Sequence, residues 1–317
     1  MMPARGAQAR RASPRRTSVR PIERRDVTFP SGDAHCVAWL YPPSGDSPGG
    51  PTGTCVVMAH GFSLTRHDGL PAYAERFARA GASVLVFDHR HLGDSPGRPR
   101  QRFRKREQRE DWRAAVSHAR GCAGVSPRRI VLWGFSFGGG HAVETAAEDG
   151  GVAAVIALCP LVDGLARVLS TSPLTAAWLM PRALADQLGR HNVVAVTAAP
   201  GERAAMTLPG EADGFAAAVP AGSPWRNEIS PAVFLTVGLH RPLAVARKLR
   251  APLWVGLGER DVSVARRSVR RLAERAPRGE LHNYPYDHFG AFVGDGPERV
   301  AGDQVEFLVR NGLLSPA

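Results

Sequence analysis

The amino-acid sequence predicts an α/β fold: a mostly parallel, eight-stranded sheet with helices on both faces and a cap inserted between strands six and seven. Short apolar runs alternate with amphipathic helical patterns along most of the 317 residues, and such alternation is typical of βαβ units. The alternation stops between Leu161 and Arg250 and then resumes, which is too long an interruption for an ordinary crossover. A serine in a glycine-bracketed turn, residues 134–138, joins one apolar run directly to a helical pattern.

Eight short apolar runs are the predicted strands. The first two form a pair around a Ser-Gly-Asp turn, and most of the others are apolar enough to be buried on both faces of a parallel sheet. In chain order the predicted strands are residues 26–29, 35–41, 54–58, 83–87, 130–133, 152–158, 252–256 and 280–284.

Five segments outside the interruption are predicted helices. Their apolar residues recur with helical spacing, so that Trp112, Ala115 and Ala119 share one face of the second helix. Gly81 ends the first helix. In chain order the predicted helices are residues 70–80, 105–120, 138–147, 264–275 and 299–311.

The chain is predicted to comprise a disordered basic tail (residues 1–25), an α/β core (residues 26–162 and 246–317) and a cap segment (residues 163–245). The tail holds eight arginines and one acid, which accounts for most of the net charge of +12. Because the excess charge is concentrated there, a nucleic-acid partner is not expected. The cap segment has a helix-like stretch, 166–188, and an extended stretch, 192–197. We expect it to fold over the C-terminal edge of the sheet, where open α/β sheets bind ligands.

Composition and cysteine usage exclude several classes of protein. Apolar residues make up 44% and charged residues 22% of the chain, as in ordinary globular proteins. No run of 18 apolar residues exists to span a membrane, and the N-terminal residues lack the apolar stretch of a secretory signal, so a cytoplasmic protein is expected. The four cysteines form neither a disulfide framework nor a zinc-site spacing. Cys55 and Cys159 lie in apolar runs and are expected to be buried.

Ser136 is the predicted nucleophile. It lies in the sequence Gly-Phe-Ser-Phe-Gly, residues 134–138, after an apolar strand and before a helix. A serine on such a tight turn is held in a strained backbone conformation, and the residues two before and two after it must be small to avoid collisions. Gly134 and Gly138 meet this need. The pattern therefore predicts a nucleophile elbow.

A serine hydroxyl is a weak nucleophile, so it needs a base, and the base needs an orienting acid. On this kind of sheet the acid precedes the histidine in the chain. Asp261 follows the predicted strand 252–256 and His288 follows the predicted strand 280–284, so both are expected at the sheet edge that holds Ser136. Asp163, which follows another strand, is an alternative acid, and Asp261 could instead cap the next helix.

Phe62 and Phe137 are the predicted backbone donors for an oxyanion. A glycine in residues 59–62 lets the chain turn after the strand 54–58, and Phe137 directly follows the nucleophile. His89 and His91, with His67, suggest metal ligation, but a His-x-His motif in an arginine-rich loop is more typical of a surface. No metal and no organic cofactor are expected.

Taken together, these motifs resemble the α/β-hydrolase superfamily over about residues 26–314. Haloalkane dehalogenases and epoxide hydrolases of this fold use Asp at the elbow and dienelactone hydrolases use Cys, so Ser136 implies ester, thioester or amide acyl chemistry. The resemblance implies a Ser136–His288–Asp261 triad, an oxyanion hole at Phe62 and Phe137, and no cofactor. Looser phrases are similar to the branch of dienelactone-hydrolase-like enzymes and polyketide-transferase-like hydrolases: MAHGFSLTRHDGLPAYAERFARAG, LVFDHRHLGDSPG, DWRAAVSHAR, RIVLWGFSFGGGH, CPLVDG and RPLAVARKLRAPLWVG.

The predicted function is that of a serine hydrolase that cleaves a carboxylic ester or thioester through an acyl-serine intermediate. A second hypothesis is an acyltransferase or thioesterase of polyketide-type secondary metabolism with the same triad. A third is a non-catalytic ligand-binding protein on the same fold. The arginine-rich stretch 98–106 could face an acyl-carrier-linked substrate, although a solvated face is the simpler interpretation.

The substrate pocket is expected to accept a small hydrophobic acyl group. The predicted lining combines aromatic residues near the elbow with apolar residues of the cap segment. These pocket residues are Phe135, Trp178, Met180, Trp225 and Phe289. Further apolar residues of the cap segment either join them or form the cap's own core: Leu165, Val168, Leu169, Leu179 and Phe215.

Overall fold

The structure, a computed structural model, describes residues 22–47 and 49–316. Within this part of the chain, eight strands form one sheet. In chain order the strands are β1 (Arg25–Ser31), β2 (Ala34–Tyr41), β3 (Cys55–Ala59), β4 (Ser83–Phe87), β5 (Ile130–Phe135), β6 (Ala154–Leu158), β7 (Leu253–Gly258) and β8 (Gly279–Tyr284). Their spatial order is β1-β2-β4-β3-β5-β6-β7-β8. The first strand pair and the β2–β4 pair are antiparallel, and every other pair is parallel.

The described residues also form eight α-helices. In chain order these are α1 (Leu70–Arg79), α2 (Lys105–Arg120), α3 (Phe137–Asp149), α4 (Gly164–Leu169), α5 (Pro173–Ala185), α6 (Glu211–Ala218), α7 (Arg266–Arg275) and α8 (Gly296–Arg310). Helix α1 packs against α8, and α2 packs against α3. The predicted α/β-hydrolase fold, with its mostly parallel eight-stranded sheet, is therefore confirmed.

The central strands form the core of the protein. Every residue of β3, β4, β5, β6 and β7 is buried, because helices cover both faces of a parallel sheet. Cys55 and Cys159 are buried in this core, as expected. Strands β5, β7 and β8 run in the same direction, so the loops that follow them meet at one edge of the sheet.

The segment between β6 and β7 is built from short elements. Besides α4, α5 and α6 it holds one π-helical turn and three 3₁₀ helices (Asp186–Arg190, Pro231–Leu235, Val237–Leu239 and Pro242–Lys248). The helix-like stretch expected at 166–188 is interrupted before Pro173, because Ser172 caps a new helix by accepting a hydrogen bond from the backbone N–H of Thr175. The extended stretch expected at 192–197 forms only isolated bridges, to Ile229 and Met206.

The N-terminal boundary of the core differs from the expected one. Strand β1 begins at Arg25, inside the predicted tail 1–25. Ile22 packs against the core, and the Arg24 guanidinium lies 3.4 Å from the centroid of the Trp39 ring, a cation–π contact. The rest of the predicted tail, residues 1–21, lies outside the described residues. None of the described helices is long and apolar enough to cross a bilayer.

Candidate active site

Ser136 lies at the turn between β5 and α3. Its φ of 52° and ψ of −116° place it in a region that is costly for any residue with a side chain. A Cβ atom at Gly134 would overlap the carbonyl group of Gly138, and one at Gly138 would overlap the carbonyl group of His60. The two glycines therefore permit the close packing of strand, turn and helix that the strained serine requires.

His288 connects Ser136 to Asp261. Its Nε2 lies 3.0 Å from Ser136 Oγ, and its Nδ1 lies 2.7 Å from Asp261 Oδ2. Ser136 is 9% exposed, His288 3% and Asp261 2%, so both contacts are screened little by water. The Phe135 ring packs 4.8 Å from the His288 ring, centroid to centroid. The loops after β5, β7 and β8 thus bring the three predicted side chains together.

The two candidate acids have different partners. Asp261 Oδ1 accepts hydrogen bonds from two backbone N–H groups, at 2.8 and 3.2 Å, which leaves Oδ2 for His288. Asp163 caps the first turn of α4 with one carboxylate oxygen, and its other oxygen accepts a hydrogen bond from Ser268 Oγ at 3.1 Å. Of these two carboxylates, the structure therefore brings Asp261 to the histidine.

Phe62 and Phe137, the residues predicted to supply backbone N–H donors, line the same cavity as Ser136. In residues 22–47 and 49–316, neither N–H donates a hydrogen bond to a protein acceptor. Phe137 is the first residue of α3, where free N–H groups and the helix dipole favour negative charge. Its ring stacks on His240 with centroids 4.3 Å apart. The N–H groups of Phe62, in the loop after β3, and of Phe137, at the start of α3, are therefore candidate backbone donors for this site.

A cavity of about 100 Å³ opens beside Ser136. Its walls combine residues around the elbow with residues between β6 and β7, and most of them are apolar. The lining residues are Phe62, Ser136, Phe137, Leu161, Arg167, Val168, Thr171, Ala176, Leu179, Met180, Ala205, Met206, Val233, Phe234, Val237 and Ser263. This volume is smaller than the cavity of about 150 Å³ that holds one benzene ring in a well-known engineered protein.

Comparison with known proteins identifies the family. A family model described as serine aminopeptidase, S33 (Hydrolase_4) matches residues 50–289. The chain belongs to this family of α/β hydrolases. The quorum-quenching protein AidA of Acinetobacter baumannii is 39% identical over 290 residues, which is 90% of this chain and 94% of AidA. The relationship to AidA therefore extends over nearly the whole length of both chains.

Other relatives of this S33 hydrolase match shorter stretches. The polyketide transferase grgF of a Penicillium species is 35% identical over 143 residues, or 45% of this chain and 47% of its own. The thiohydrolase aneE of Aspergillus aculeatus is 41% identical over 115 residues, or 36% of each chain. The crystal structure of the α/β hydrolase GrgF from Penicillium matches with a TM-score of 0.77 at 27% identity, covering 92% of this chain and 99% of GrgF.

The cavity of this S33 hydrolase differs from the expected pocket. Of the five predicted pocket residues, Met180 alone lines it, together with Val168 and Leu179 from the wider set. Trp178 faces another cavity and lies under the Arg182 guanidinium. The prediction was wrong here because helical spacing places neighbouring residues of α5 on different faces.

The other three predicted pocket residues form an aromatic layer next to the cavity. Phe289 packs against Phe135 and Phe215, with ring centroids 5.9 and 4.8 Å away. Trp225 stacks on Phe215 at 5.7 Å, and its indole N–H donates to Ser63 Oγ at 3.3 Å. These rings pack against one another, so they support the wall behind His288 instead of lining the cavity.

The histidine-rich loop is buried, contrary to the expectation of a surface loop. His89 and His91 are 1% and 7% exposed. His89 Nδ1 lies 3.1 Å from Asp111 Oδ2, whereas His91 Nδ1 lies 3.1 Å from the Pro99 carbonyl oxygen. His67 contacts a third group, Asp94 at 2.9 Å. The three histidines have separate partners and do not converge on one point.

Two other clusters in the described residues have the donor types that metals prefer. One joins Cys159 to Asp261 and His288 and coincides with the site above. Burial, reinforced by the Asp261 carboxylate, raises the pKa of Cys159 well above its usual value, so this cysteine stays a neutral thiol. It is therefore neither a competing nucleophile nor a ready metal ligand.

The second cluster joins His141, Glu144 and His240. Lys105 Nζ lies 3.0 Å from one Glu144 oxygen and Arg109 Nε lies 3.7 Å from the other. Burial, together with the positive charge of Lys105 and Arg109, lowers the pKa of both histidines well below the usual value. Two cations already balance the carboxylate, which argues against a divalent ion at this position.

The arginine-rich stretch 98–106 is partly ion-paired instead of fully solvated. Arg102 pairs with Glu107, and Arg104 lies 3.4 Å from Asp186. Together with α2, the stretch borders a groove of about 490 Å³. The groove is lined mostly by basic residues: Arg102, Arg104, Lys105, Arg106, Glu107, Arg109, Arg113, Gln187, Thr236 and Leu239.

Arg167 and Ser263 are cavity residues that sequence reasoning missed. Arg167 lies in α4, in an otherwise apolar stretch, and nothing in the local pattern shows which way this helix faces. Ser263 lies two residues after Asp261, so its position next to the predicted acid was a signal that it lies near the site. Arg167 could be found only from the packing of the cap segment on the core.

Proposed function

We propose that the protein is a serine hydrolase that cleaves a carboxylic ester or thioester with a small, mostly apolar acyl group. The observation that carries this proposal is the pair of contacts made by His288, at 3.0 Å to Ser136 and 2.7 Å to Asp261. A histidine in this position can remove the serine proton while the aspartate orients its ring. Membership of the S33 family supports the same assignment.

In the acylation step, Ser136 Oγ attacks the acyl carbonyl carbon as its proton passes to His288 Nε2. The carbonyl π electrons move onto oxygen, and the N–H groups of Phe62 and Phe137 donate hydrogen bonds to this oxyanion. The tetrahedral intermediate then collapses, the bond to the leaving alcohol or thiol breaks, and His288 donates its proton to the leaving atom. Asp261 stabilises the imidazolium that forms in between.

In the deacylation step, water takes the place of the leaving group. Water loses a proton to His288 Nε2 and attacks the acyl-serine carbonyl. Collapse of the second intermediate breaks the bond to Ser136 Oγ, which regains the proton from His288. The products are a carboxylic acid and the free enzyme, so no cofactor and no redox step are needed.

The substrate assignment rests on the cavity and on the relatives. A mostly apolar cavity of about 100 Å³ suits a short acyl chain better than a fatty acyl chain. Two relatives are named thiohydrolases and three others polyketide transferases, and these names support thioesters and ketide-like acyl groups as substrates. Both classes present the same acyl carbonyl to Ser136.

Fluorophosphonate labelling tests the proposal. We expect the probe to label Ser136 in the wild-type protein, as identified by peptide mass spectrometry, and to leave Ser136→Ala unlabelled. Ser126→Ala, at a loop remote from the site, serves as a control and should label like the wild type. A folded wild-type protein that resists labelling and hydrolyses neither 4-nitrophenyl butyrate nor butyryl thioesters would favour a non-catalytic binding protein.

A second candidate function, acyl transfer from a carrier-linked thioester, is favoured by the basic groove along α2. Its residues Thr236 and Leu239 adjoin Val237, which lines the Ser136 cavity. Such a groove suits an acidic carrier or a phosphate-bearing arm. Product analysis with a carrier-linked thioester and competing alcohol acceptors separates the two functions, since a transferase forms the ester where a hydrolase forms the free acid.

A further inference from the structure

The cavity beside Ser136 contains one charged side chain among its lining residues, that of Arg167. The other polar side chains on its walls are the hydroxyls of Ser136, Thr171 and Ser263. A guanidinium carries five N–H donors and no acceptor. A single arginine in a mostly apolar wall therefore offers the substrate hydrogen-bond donors at one fixed position of the cavity.

Within residues 22–47 and 49–316, the contacts of the Arg167 guanidinium leave much of its donor capacity unused. Its guanidinium lies 3.5 Å from Glu211 Oε1 and donates to Ser170 Oγ at 3.4 Å. Both distances are longer than the 2.7–2.9 Å typical of a charge-assisted hydrogen bond. The Arg167 side chain is only 16% exposed, so bulk water has little access to it. An acceptor that enters the cavity can therefore form favourable hydrogen bonds with these shielded, weakly paired N–H donors.

Glu211 is held in place by other groups. It is 1% exposed; Ser263 Oγ donates to its Oε1 at 2.8 Å, and the backbone N–H of Leu208 donates to its Oε2 at 2.9 Å. The Ser263 backbone N–H in turn donates to Asp261 at 2.8 Å. The Arg167–Glu211 pair is therefore fixed relative to the acid that contacts His288.

The charge of this pair determines which acceptor suits it. Glu211 already compensates the positive charge of Arg167, so a second carboxylate brought by the substrate would meet a buried anion. A neutral oxygen acceptor meets no such repulsion and still pairs with the free N–H groups. An all-carbon acyl chain would cover those donors without pairing them, which carries a desolvation cost.

We propose that Arg167 is a specificity-determining residue, which selects acyl groups bearing a neutral acceptor oxygen, such as a keto or amide carbonyl, on the acyl chain. This inference rests on the proposed function, because it concerns the acyl group that Ser136 receives. Sites built to hydrogen-bond a substrate discriminate against analogues that lack the polar group far better than apolar pockets discriminate by shape.

Matched acyl esters test the inference. The substrates are 4-nitrophenyl hexanoates with a keto oxygen at carbon 3, 4 or 5, each paired with the methyl-branched hexanoate of the same shape. We expect at least one keto ester to exceed its methyl partner about tenfold in kcat/KM. In Arg167→Met that ratio should fall to about one. Arg182→Met, which removes a cap arginine from the Trp178 ring outside this cavity, is the matched control and should keep the ratio.

Glu211→Gln tests the charge argument. This change keeps an oxygen for Ser263 but removes the negative charge. A carboxylate-bearing acyl ester, the 4-nitrophenyl monoester of adipic acid, should be disfavoured by the wild type relative to the keto esters, and that disadvantage should shrink at least several-fold in the variant. A wild type that prefers the carboxylate ester contradicts the assignment of a neutral acceptor.

The outcome distinguishes this inference from the proposed function. Hydrolysis of all esters with keto-to-methyl ratios near one at every position, or an unchanged ratio in Arg167→Met, overturns the role of Arg167 and leaves the hydrolase assignment intact. If no ester is hydrolysed, calorimetric binding of the same ester pairs to Ser136→Ala applies the same criterion to dissociation constants. Equal dissociation constants within every pair would then overturn the inference.

Discussion

The core sheet and the cap segment of this protein differ in how completely they bury their apolar side chains. Strands β3 to β7 are buried at every position, whereas the cap segment holds most of the large apolar side chains that are exposed in the described residues. These are Leu165, Val168, Leu169, Leu174, Met180, Leu184, Leu188, Val193 and Leu239, against Val262 and Val293 elsewhere. In the core strands, an apolar residue in the sequence is therefore a buried residue in the structure. In the cap segment, many large apolar residues are exposed.

The two regions also contribute differently to the site. The core supplies the atoms of the proposed chemistry at the ends of the sheet strands β5, β7 and β8, and regular elements hold a precise geometry better than loops do. The cap segment supplies most of the cavity wall, including Arg167 and Met206, from short helices and loops. We therefore expect changes in the core to affect rate and stability, and changes in the cap segment to affect substrate choice.

The largest expected effect concerns the acid in the core. Asp261→Asn should reduce kcat about 10⁴-fold, because the amide cannot hold the histidine tautomer or stabilise the imidazolium. Asp163→Asn, at the start of the cap segment, should change kcat less than tenfold, since Asp163 caps α4. Steady-state kinetics on one ester measures both variants. The opposite order would identify Asp163 as the functional acid.

The next effect separates the two regions by stability. Leu85→Ala in β4 removes a fully buried side chain and should lower the free energy of unfolding by about 2–5 kcal/mol, through lost burial and a residual cavity. Leu174→Ala in α5 truncates a side chain that is 84% exposed and should cost no more than about 0.5 kcal/mol. Urea unfolding curves measure both. A large cost at Leu174 would indicate that the cap leucines are covered in solution.

Acid should weaken the protein through buried histidines. Burial lowers the pKa of His60 to about 3, and it lowers the pKa values of His141 and His240 well below the usual value. Each binds a proton more readily when unfolded, so its contribution is complete above about pH 6.5 and is lost as the pH falls, by up to about 1.4 kcal/mol per pH unit for each histidine.

Denaturant unfolding between pH 7.5 and 5.5 measures this slope. Burial raises the pKa values of Asp68 and Asp88, which has the opposite sign, so the comparison between histidine variants isolates the histidine contribution. His240→Gln should flatten the profile, whereas the same change at exposed His35 should not. A stability that is independent of pH in this range would contradict the buried neutral state.

The smallest expected effect concerns the cavity wall. Met206→Ala enlarges the cavity beside Ser136 and should raise kcat/KM for hexanoyl relative to butyryl esters about tenfold, since one or two added methylene groups gain a place to pack. Chain-length profiles with 4-nitrophenyl esters measure the change, and Leu174→Ala is the control within the same segment. An unchanged profile would indicate that the acyl group lies elsewhere.

Local pattern was sufficient for most of the core. Residues 83–87 and 105–120 coincide with β4 and α2, because a buried strand and an amphipathic helix each show their burial in their own periodicity. Ser136 could be located in the same way, since the elbow depends on glycines two residues away. His288 followed from the rule that parallel strands end at one edge.

Packing between distant segments determined what the sequence could not. The choice of Asp261 over Asp163 depends on which strand end lies nearer to β8, and the burial of His89 depends on Asp111 in α2. The cap segment was hardest, because its residues find partners far away, as Glu211 does at Ser263. The spacing of apolar residues within one helix does not predict which distant residue a polar side chain will contact.

By itself, then, the sequence determined the strand and helix order, the strained serine and the residues that follow β7 and β8, because these depend on contacts between near neighbours in the chain. The tertiary structure alone decided the lining of the cavity, the exposure of the cap leucines and the position of Arg167 beside Glu211. Those features are set by how the cap segment packs on the core. Packing depends on the shapes of two surfaces at once, so the residues of one surface alone do not predict which residues of the other surface they contact.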